Sequence, residues 1–272
     1  MKLSVAIAGA DALPSAFVVF RGIDTSIKKA AQLGYDGVEL ALKSSDEVEK
    51  NHLQAVLREN GLSISAVSTG QVWSARKLSF TDEDSQKREE LKKAFCGFID
   101  LASDFGQKVN MGRIRGGFNG REQGFCEDLF IDMAGYLAHY AEKRGVTLLL
   151  EPVNRYEIDF INNTDECAAL IKKAGCTNLK MMPDVFHMNI EDAHIGEALR
   201  RNKDYVDYVH FADTNRYAPG QGHMNWDEIF AALQDIKYDG WTSVEIFPVP
   251  DPDTAAKQAI SFIKEKYGKY YK

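Results

Sequence analysis

The sequence predicts a closed barrel of eight parallel strands, each followed by a helix. Three observations carry this. Short apolar runs alternate with longer amphipathic stretches along the whole chain, the pattern of strand–helix–strand units and a parallel sheet. Eight such units fill the 272 residues at about 34 residues each, with no element left over. Acidic or imidazole side chains stand at the carboxyl ends of four consecutive runs, the end at which such barrels carry their chemistry.

Strand 1 reads as Ser4–Gly9, followed by a helix from Asp24 to Leu33 that Gly34 stops. Strand 2 reads as Gly37–Leu42, and a helix over Asp46–Asn60 ends at Gly61. Strand 3 covers Ser63–Ser68, and a long amphipathic helix over Asp82–Phe105 closes at Gly106. Strand 4 is expected over Lys108–Ile114, with a helix over Glu122–Arg144 behind it. Strand 5 is Val146–Leu150, an almost unbroken apolar run suited to burial on both faces. Glu151 ends it and Pro152 blocks its continuation. Thr164 is read as the cap of a helix running to Ala174. Strand 6 is expected over Leu179–Val185, a helix over Ile195–Arg201, and strand 7 over Tyr205–Phe211. A helix over Trp226–Ile236, strand 8 over Trp241–Phe247 and a helix over Asp253–Tyr267 complete the set. No linker or low-complexity segment divides the chain, so residues 1–272 read as one domain. A doubly wound open sheet is the alternative, but G-x-G-x-x-G is missing after strand 1 and G-x-x-x-x-G-K-[ST] is missing throughout.

Composition narrows the function classes. Hydrophobic residues make up 44% and charged residues 27%, enough for a sizeable core under a soluble surface. A formal charge of −7 with no basic block disfavours nucleic acid. No apolar run approaches the ~18 residues of a membrane span, and the start, MKLSVAIAGA, is better used as a first strand than as a signal peptide. Cys96, Cys126, Cys167 and Cys176 show no C-x-x-C spacing, which fits a reducing, cytoplasmic compartment.

The candidate site lies at the ends of strands 5 to 8. Glu151, Asp184, His210 and Glu245 are separated by 33, 26 and 35 residues, about one unit each. A barrel sets consecutive strand ends side by side, so the four side chains can converge. Each alone has a plainer explanation: a strand-end acid in water, a helix cap at Asp184, a packed core histidine. Together, three carboxylates and one imidazole make a divalent-cation site, oxygen-rich enough to favour Mn²⁺, Mg²⁺ or Co²⁺ over a thiolate-type zinc site. A cluster of buried acids is too costly without a cation. Glu39, ending strand 2, could face the same cavity. Trp73 could cover a ligand or simply pack. Gly220 and Gly222 suit a tight turn after strand 7, with His223 in the loop.

The segments EPVNRYE, DVFHMNIE, HFADTNRYAPGQGH and SVEIF resemble the D-tagatose 3-epimerase family of ketose 3-epimerases, within the xylose isomerase-like (β/α)8 TIM barrels. FRG near Arg21, STGQ at Ser68 to Gln71 and GRIRG at Gly112 to Gly116 look most like its keto-sugar-acid branch, the 5-keto-L-gluconate epimerases. The resemblance implies that Glu151, Asp184, His210 and Glu245 bind a metal, Mn²⁺ foremost. It implies that Glu151 and Glu245 are the catalytic acid/base pair, and that Glu157, His187 and Arg216 hold the substrate's carbonyl end. A proton next to the carbonyl of a small sugar or keto-sugar acid would then leave one face and return to the other through an enediolate. The resemblance also implies a homo-oligomer, dimer or tetramer. Two arginines near the cavity mouth exceed what a neutral sugar needs, so Arg113 or Arg115 is expected to grip a terminal carboxylate. The two share a face if strand 4 extends that far, and Arg21 is a weaker candidate.

The alternatives are a neutral D-tagatose or D-psicose type 3-epimerase, a keto-inositol or dehydroshikimate type dehydratase, and a DNA-repair endonuclease. The last would need extra histidines after strands 3 and 4, which instead end in Ser68-Thr69-Gly70 and Gly112-Arg113-Ile114. A catalytically silent sugar-binding module would not need two opposed proton carriers.

Overall fold

Eight parallel strands form one continuous sheet in the computed structural model, which describes residues 1–270. They are β1 (Lys2–Ala8), β2 (Gly37–Ala41), β3 (Ser63–Ser68), β4 (Lys108–Met111), β5 (Thr147–Leu150), β6 (Leu179–Met181), β7 (Tyr208–Phe211) and β8 (Trp241–Val244). Their order in the sheet is β6-β5-β4-β3-β2-β1-β8-β7. Two isolated parallel bridges, Met181 to Val206 and Asp184 to His210, bring β6 and β7 together. The result is a nearly closed barrel. Phe20–Arg21 adds a two-residue strand beside the end of β1.

Ten helices are found among the described residues: α1 (Ile23–Leu33), α2 (Lys50–Asn60), α3 (Gly70–Arg76), α4 (Ser85–Asp104), α5 (Gln123–Glu142), α6 (Thr164–Ala174), α7 (Val185–Glu191), α8 (Ile195–Arg201), α9 (Trp226–Asp235) and α10 (Pro252–Tyr267). Gly34 and Gly61 act as read, as left-handed C-caps of α1 and α2, and Gly175 does the same for α6. The α4 helix instead ends at Asp104 with extended Phe105 as its cap, one residue before Gly106. Starts are less legible. Asn163, not Thr164, caps α6 through the Glu166 amide, and α1 begins behind Gly22 without a side-chain cap. The expected helix over Asp46–Asn60 is split. A 3-10 turn, Ser45–Glu47, precedes α2, and Glu49 caps α2 through the amides of Asn51 and His52. None of the ten helices is long and apolar enough to cross a membrane.

The main core lies between the sheet and the helices, where Phe80, Phe95, Phe98, Phe130 and Phe230 are all buried. Each fully buried Leu, Ile or Phe contributes roughly 1.5–3 kcal/mol, so stability is concentrated in this layer and the barrel mouth is free to be polar.

The main departures from the expected elements fall at the mouth. β4 stops at Met111, β6 at Met181 and β8 at Val244, several residues short of the expected ends. After β4 the backbone turns into a 3-10 helix, Arg113–Arg115. Two helices, α3 and α7, were not expected. Strand 6 reads as running on to Val185, because a short apolar run fits either state. Asp184 decides the matter by accepting the Phe186 amide at 2.9 Å and starting α7.

Candidate metal centre and active site

Glu151 follows the last residue of β5, Asp184 caps α7 beyond β6, His210 lies in β7 and Glu245 follows β8. One ligand atom from each lies within 4.8 Å of the others. His210 Nδ1 is 3.4 Å from Glu151 Oε1 and 3.7 Å from Glu245 Oε2. Its other ring nitrogen, Nε2, is 2.8 Å from Glu39 Oε2. Nδ1 is buried and has no hydrogen-bond partner among the described residues. An imidazole that donates from Nε2 presents the Nδ1 lone pair to three carboxylates. This donor set fits a divalent cation, and the group could hold one.

The electrostatics separate the two glutamates. Burial pushes the Glu151 carboxyl up, but His210, His187 and Arg216 overcome it and hold the group at about 2. Burial also raises Glu245, here to about 8, with Glu151 and Asp184 adding repulsion. Asp184 is raised by burial as well. For His210, burial opposes the imidazolium, but Glu39 and Glu245 outweigh it and raise the ring well above its usual range. Two carboxyls pushed apart in this way suit an acid and a base at one site.

Arg216 is buried over this cluster. Its Nη2 donates to Glu245 Oε2 at 2.5 Å and to Asp184 Oδ2 at 3.4 Å, and Nη1 reaches Glu157 Oε1 at 3.5 Å. The guanidinium also lies 3.9 Å from the Phe17 ring centroid and 4.7 Å from that of Phe186. Asp213 builds the loop that presents it, accepting from the amides of Thr214, Gly220 and Met224 and from Trp226 Nε1. Gly222 packs so tightly there that a Cβ would sit 2.3 Å from Asp213 Oδ1. His223 is an exposed loop residue whose amide donates to Thr214 Oγ1.

His187, on α7, is the second imidazole. Asn154 Nδ2 lies 2.7 Å from its Nδ1, so Nδ1 accepts and Nε2 carries the proton. Nε2 is 3.7 Å from Asp184 Oδ2 and 4.0 Å from Glu151 Oε1. Burial and the charge of Arg216 hold this ring well below its usual range. It is therefore a neutral donor at the cavity floor. The sequence gives no hint of Asn154's part, because the pairing joins two separate βα loops.

Above these groups opens a cavity at the barrel mouth. Glu151, Glu157, His187, Arg216 and Glu245 all line it, as does Arg113. Arg113 lies 3.7 Å from Glu157 Oε2 and stacks 4.9 Å from Trp73. Trp73 thus packs beneath Arg113. Leu13, Phe17 and neighbours from the loop after β1 form the facing wall.

Three expectations need correction. Arg115 does not share a face with Arg113, because the chain has already left the strand. It is fully buried and donates to the carbonyls of Gly112, Phe160 and Ile161, so it has no access to a ligand. Arg21 is spent on the carbonyls of Ala12 and Leu13, holding the loop after β1. Glu39 lies behind His210 and does not line the cavity.

Comparison with known proteins agrees with this architecture. Residues 27–266 match the model of the xylose isomerase-like TIM barrel family. A D-psicose 3-epimerase of Ruminiclostridium cellulolyticum is 33% identical over 235 residues, covering 81% of this chain and 77% of that protein. A hydroxypyruvate isomerase of Escherichia coli is 27% identical over 229 residues, covering 81% and 86%. The crystal structure of D-psicose 3-epimerase with D-tagatose from Clostridium cellulolyticum H10 superposes with a TM-score of 0.85 at 24% identity, covering 97% of this chain and 99% of that one. The chain belongs to the xylose isomerase-like TIM barrel family.

Proposed function

We propose that the protein is a metal-dependent sugar epimerase that inverts the carbon beside the carbonyl of a small keto-sugar. The observation that carries this reading is the pair of glutamates at one four-residue cluster, Glu151 buried and Glu245 half-buried, with Glu151 held at about 2 and Glu245 at about 8. Glu151, Asp184, His210 and Glu245 would hold the cation, with Mn²⁺ ahead of Mg²⁺ and Co²⁺. Such an ion, when bound, supplies Lewis-acid polarisation of a carbonyl and stabilises negative charge on oxygen. Glu151, ionised, takes the proton from the carbon beside the carbonyl. Glu245, protonated, returns one to the other face, and the roles reverse for the other epimer. His187 Nε2 and Arg216 donate to oxygens that gain charge. Relatives named as D-psicose 3-epimerases support the ketose half of this reading.

For the substrate's far end, Arg113 supports a keto-sugar acid, since its planar fork at the cavity wall matches a carboxylate. A neutral ketose is the second reading, favoured by the ion pair that Arg113 already makes with Glu157. The test is a screen of ketoses and keto-sugar acids with added Mn²⁺, resolved by chromatography and mass. Epimer products of unchanged mass are expected. A product lighter by one water would establish a dehydratase instead.

A further inference from the structure

Beneath the cluster lies a carboxylate for which the proposed reaction has no use. Glu39, from the middle of β2, is fully buried. Its Oε2 accepts from His210 Nε2 at 2.8 Å and from the Tyr208 hydroxyl at 3.0 Å, while Oε1 has no partner among the described residues. Tyr208 is itself tied in, with its hydroxyl 2.7 Å from Ser65 Oγ and 3.2 Å from Ser4 Oγ. These groups reach across the barrel interior from β1, β2, β3 and β7.

Stability alone does not account for this arrangement. A buried carboxylate with a half-satisfied shell is costly, and packed apolar groups in place of both partners of a buried pair are often as stable or more so. What the carboxylate does provide is direction. With the Nε2 proton donated to Glu39, the only free lone pair of His210 is at Nδ1, the nitrogen that faces Glu151 and Glu245. The opposite tautomer would set a lone pair against Glu39 Oε2, which is repulsive, and would place a proton on the very nitrogen a cation needs. The ring plane is held too. The His210 amide donates to Pro183 O at 2.9 Å, and the Tyr208 ring meets the imidazole edge-on, 5.7 Å away at 79°.

We infer that Glu39 is a positioning residue for the cation: it fixes the tautomer and orientation of His210, and Tyr208, anchored by Ser4 and Ser65, fixes Glu39. A carboxylate behind a ligating imidazole also strengthens the imidazole as a donor. The inference rests on the reading that Glu151, Asp184, His210 and Glu245 hold a divalent ion.

The experiment titrates MnCl₂ calorimetrically into metal-free wild type, Glu39→Gln and Glu39→Leu, alongside thermal unfolding of each metal-free protein. It adds a ¹H–¹⁵N imidazole spectrum of the Mg²⁺-loaded wild type. Wild type should bind one Mn²⁺. Both variants should bind it about 10–100-fold more weakly while still unfolding cooperatively when metal-free. The spectrum should show His210 protonated at Nε2 and its proton protected from solvent. If wild type binds Mn²⁺ and the variants match it within about twofold, Glu39 has no positioning role. A ring protonated at Nδ1 in the loaded wild type overturns the inference whether or not the variants fold. If wild type itself binds no Mn²⁺, the cation reading fails instead.

Discussion

Arg216 and Glu245 meet at the cavity floor with Nη2 2.5 Å from Oε2, so the guanidinium lies against the glutamate that is held at about 8. The same nitrogen reaches Asp184 Oδ2. A lysine cannot reproduce this, because it offers a point charge where a planar fork spans two carboxylates and Glu157. Arg216→Lys should therefore lower kcat/KM for the preferred sugar by about 10²–10³-fold, the scale of losing one oriented donor. Steady-state kinetics at saturating Mn²⁺ check this. A loss below about threefold would remove Arg216 from the reaction.

Glu151→Gln and Glu245→Gln each keep an oxygen for the cation but lose the proton carrier. Each should cost about 10²–10⁴-fold in kcat. In heavy water, wild type should place solvent deuterium at the inverted carbon of every product molecule. Product that keeps its original hydrogen at that carbon would point to an internal hydride shift and eliminate the two-glutamate scheme.

Cation uptake should release protons. In the metal-free protein His210 is held charged, burial opposing this but Glu39 and Glu245 prevailing, and Glu245 is held at about 8 by burial. Ligation needs the His210 Nδ1 proton gone, and an ionised Glu245 is a stronger ligand than its acid form. Below pH ~8 protons therefore compete with the ion, and apparent Mn²⁺ affinity should fall steadily as pH is lowered from 8 to 6. Calorimetry in buffers of different ionisation enthalpy counts the protons released. An affinity flat over that interval, with none released, contradicts the electrostatic picture.

Arg113 and Arg115, two residues apart, should behave as different kinds of residue. Arg113→Ala should reduce the preference for a keto-sugar acid over D-tagatose, measured as the ratio of kcat/KM values, with thermal stability little changed. Arg115→Ala strands the buried carbonyl of Phe160, worth about 1–3 kcal/mol when left unsatisfied. It should lower the denaturation midpoint and leave the substrate ratio alone. An unchanged ratio in Arg113→Ala would favour the neutral-ketose reading.

The contrast between these two arginines shows where the sequence stops being legible. The apolar run of β5, the glycine stops and the spacing of Glu151, Asp184, His210 and Glu245 are local or periodic signals, and periodicity survives folding intact. Where a strand ends is set by its neighbours. β4 leaves the ladder at Met111, and that short exit decides which arginine sees the cavity. α7 was hidden for a related reason, since Val185 to Ile190 would satisfy a strand equally well until Asp184 caps it. Glu39 and Tyr208 were harder still. Their contact joins β2 to β7 across the barrel interior, and a lone acid within an apolar run carries no sign of which histidine will sit above it.

The seam of the barrel has its own consequence. β6 and β7 are joined by isolated bridges, and one of these sets Asp184 directly beside His210. An ion held by those two side chains would rivet the sheet where its backbone ladder is thinnest. Chelation would then relax the cylinder along one edge, and hydrogen exchange should quicken first in the segments flanking that joint. Architecture and chemistry would share a single fastener, so a substitution that weakens one cannot spare the other.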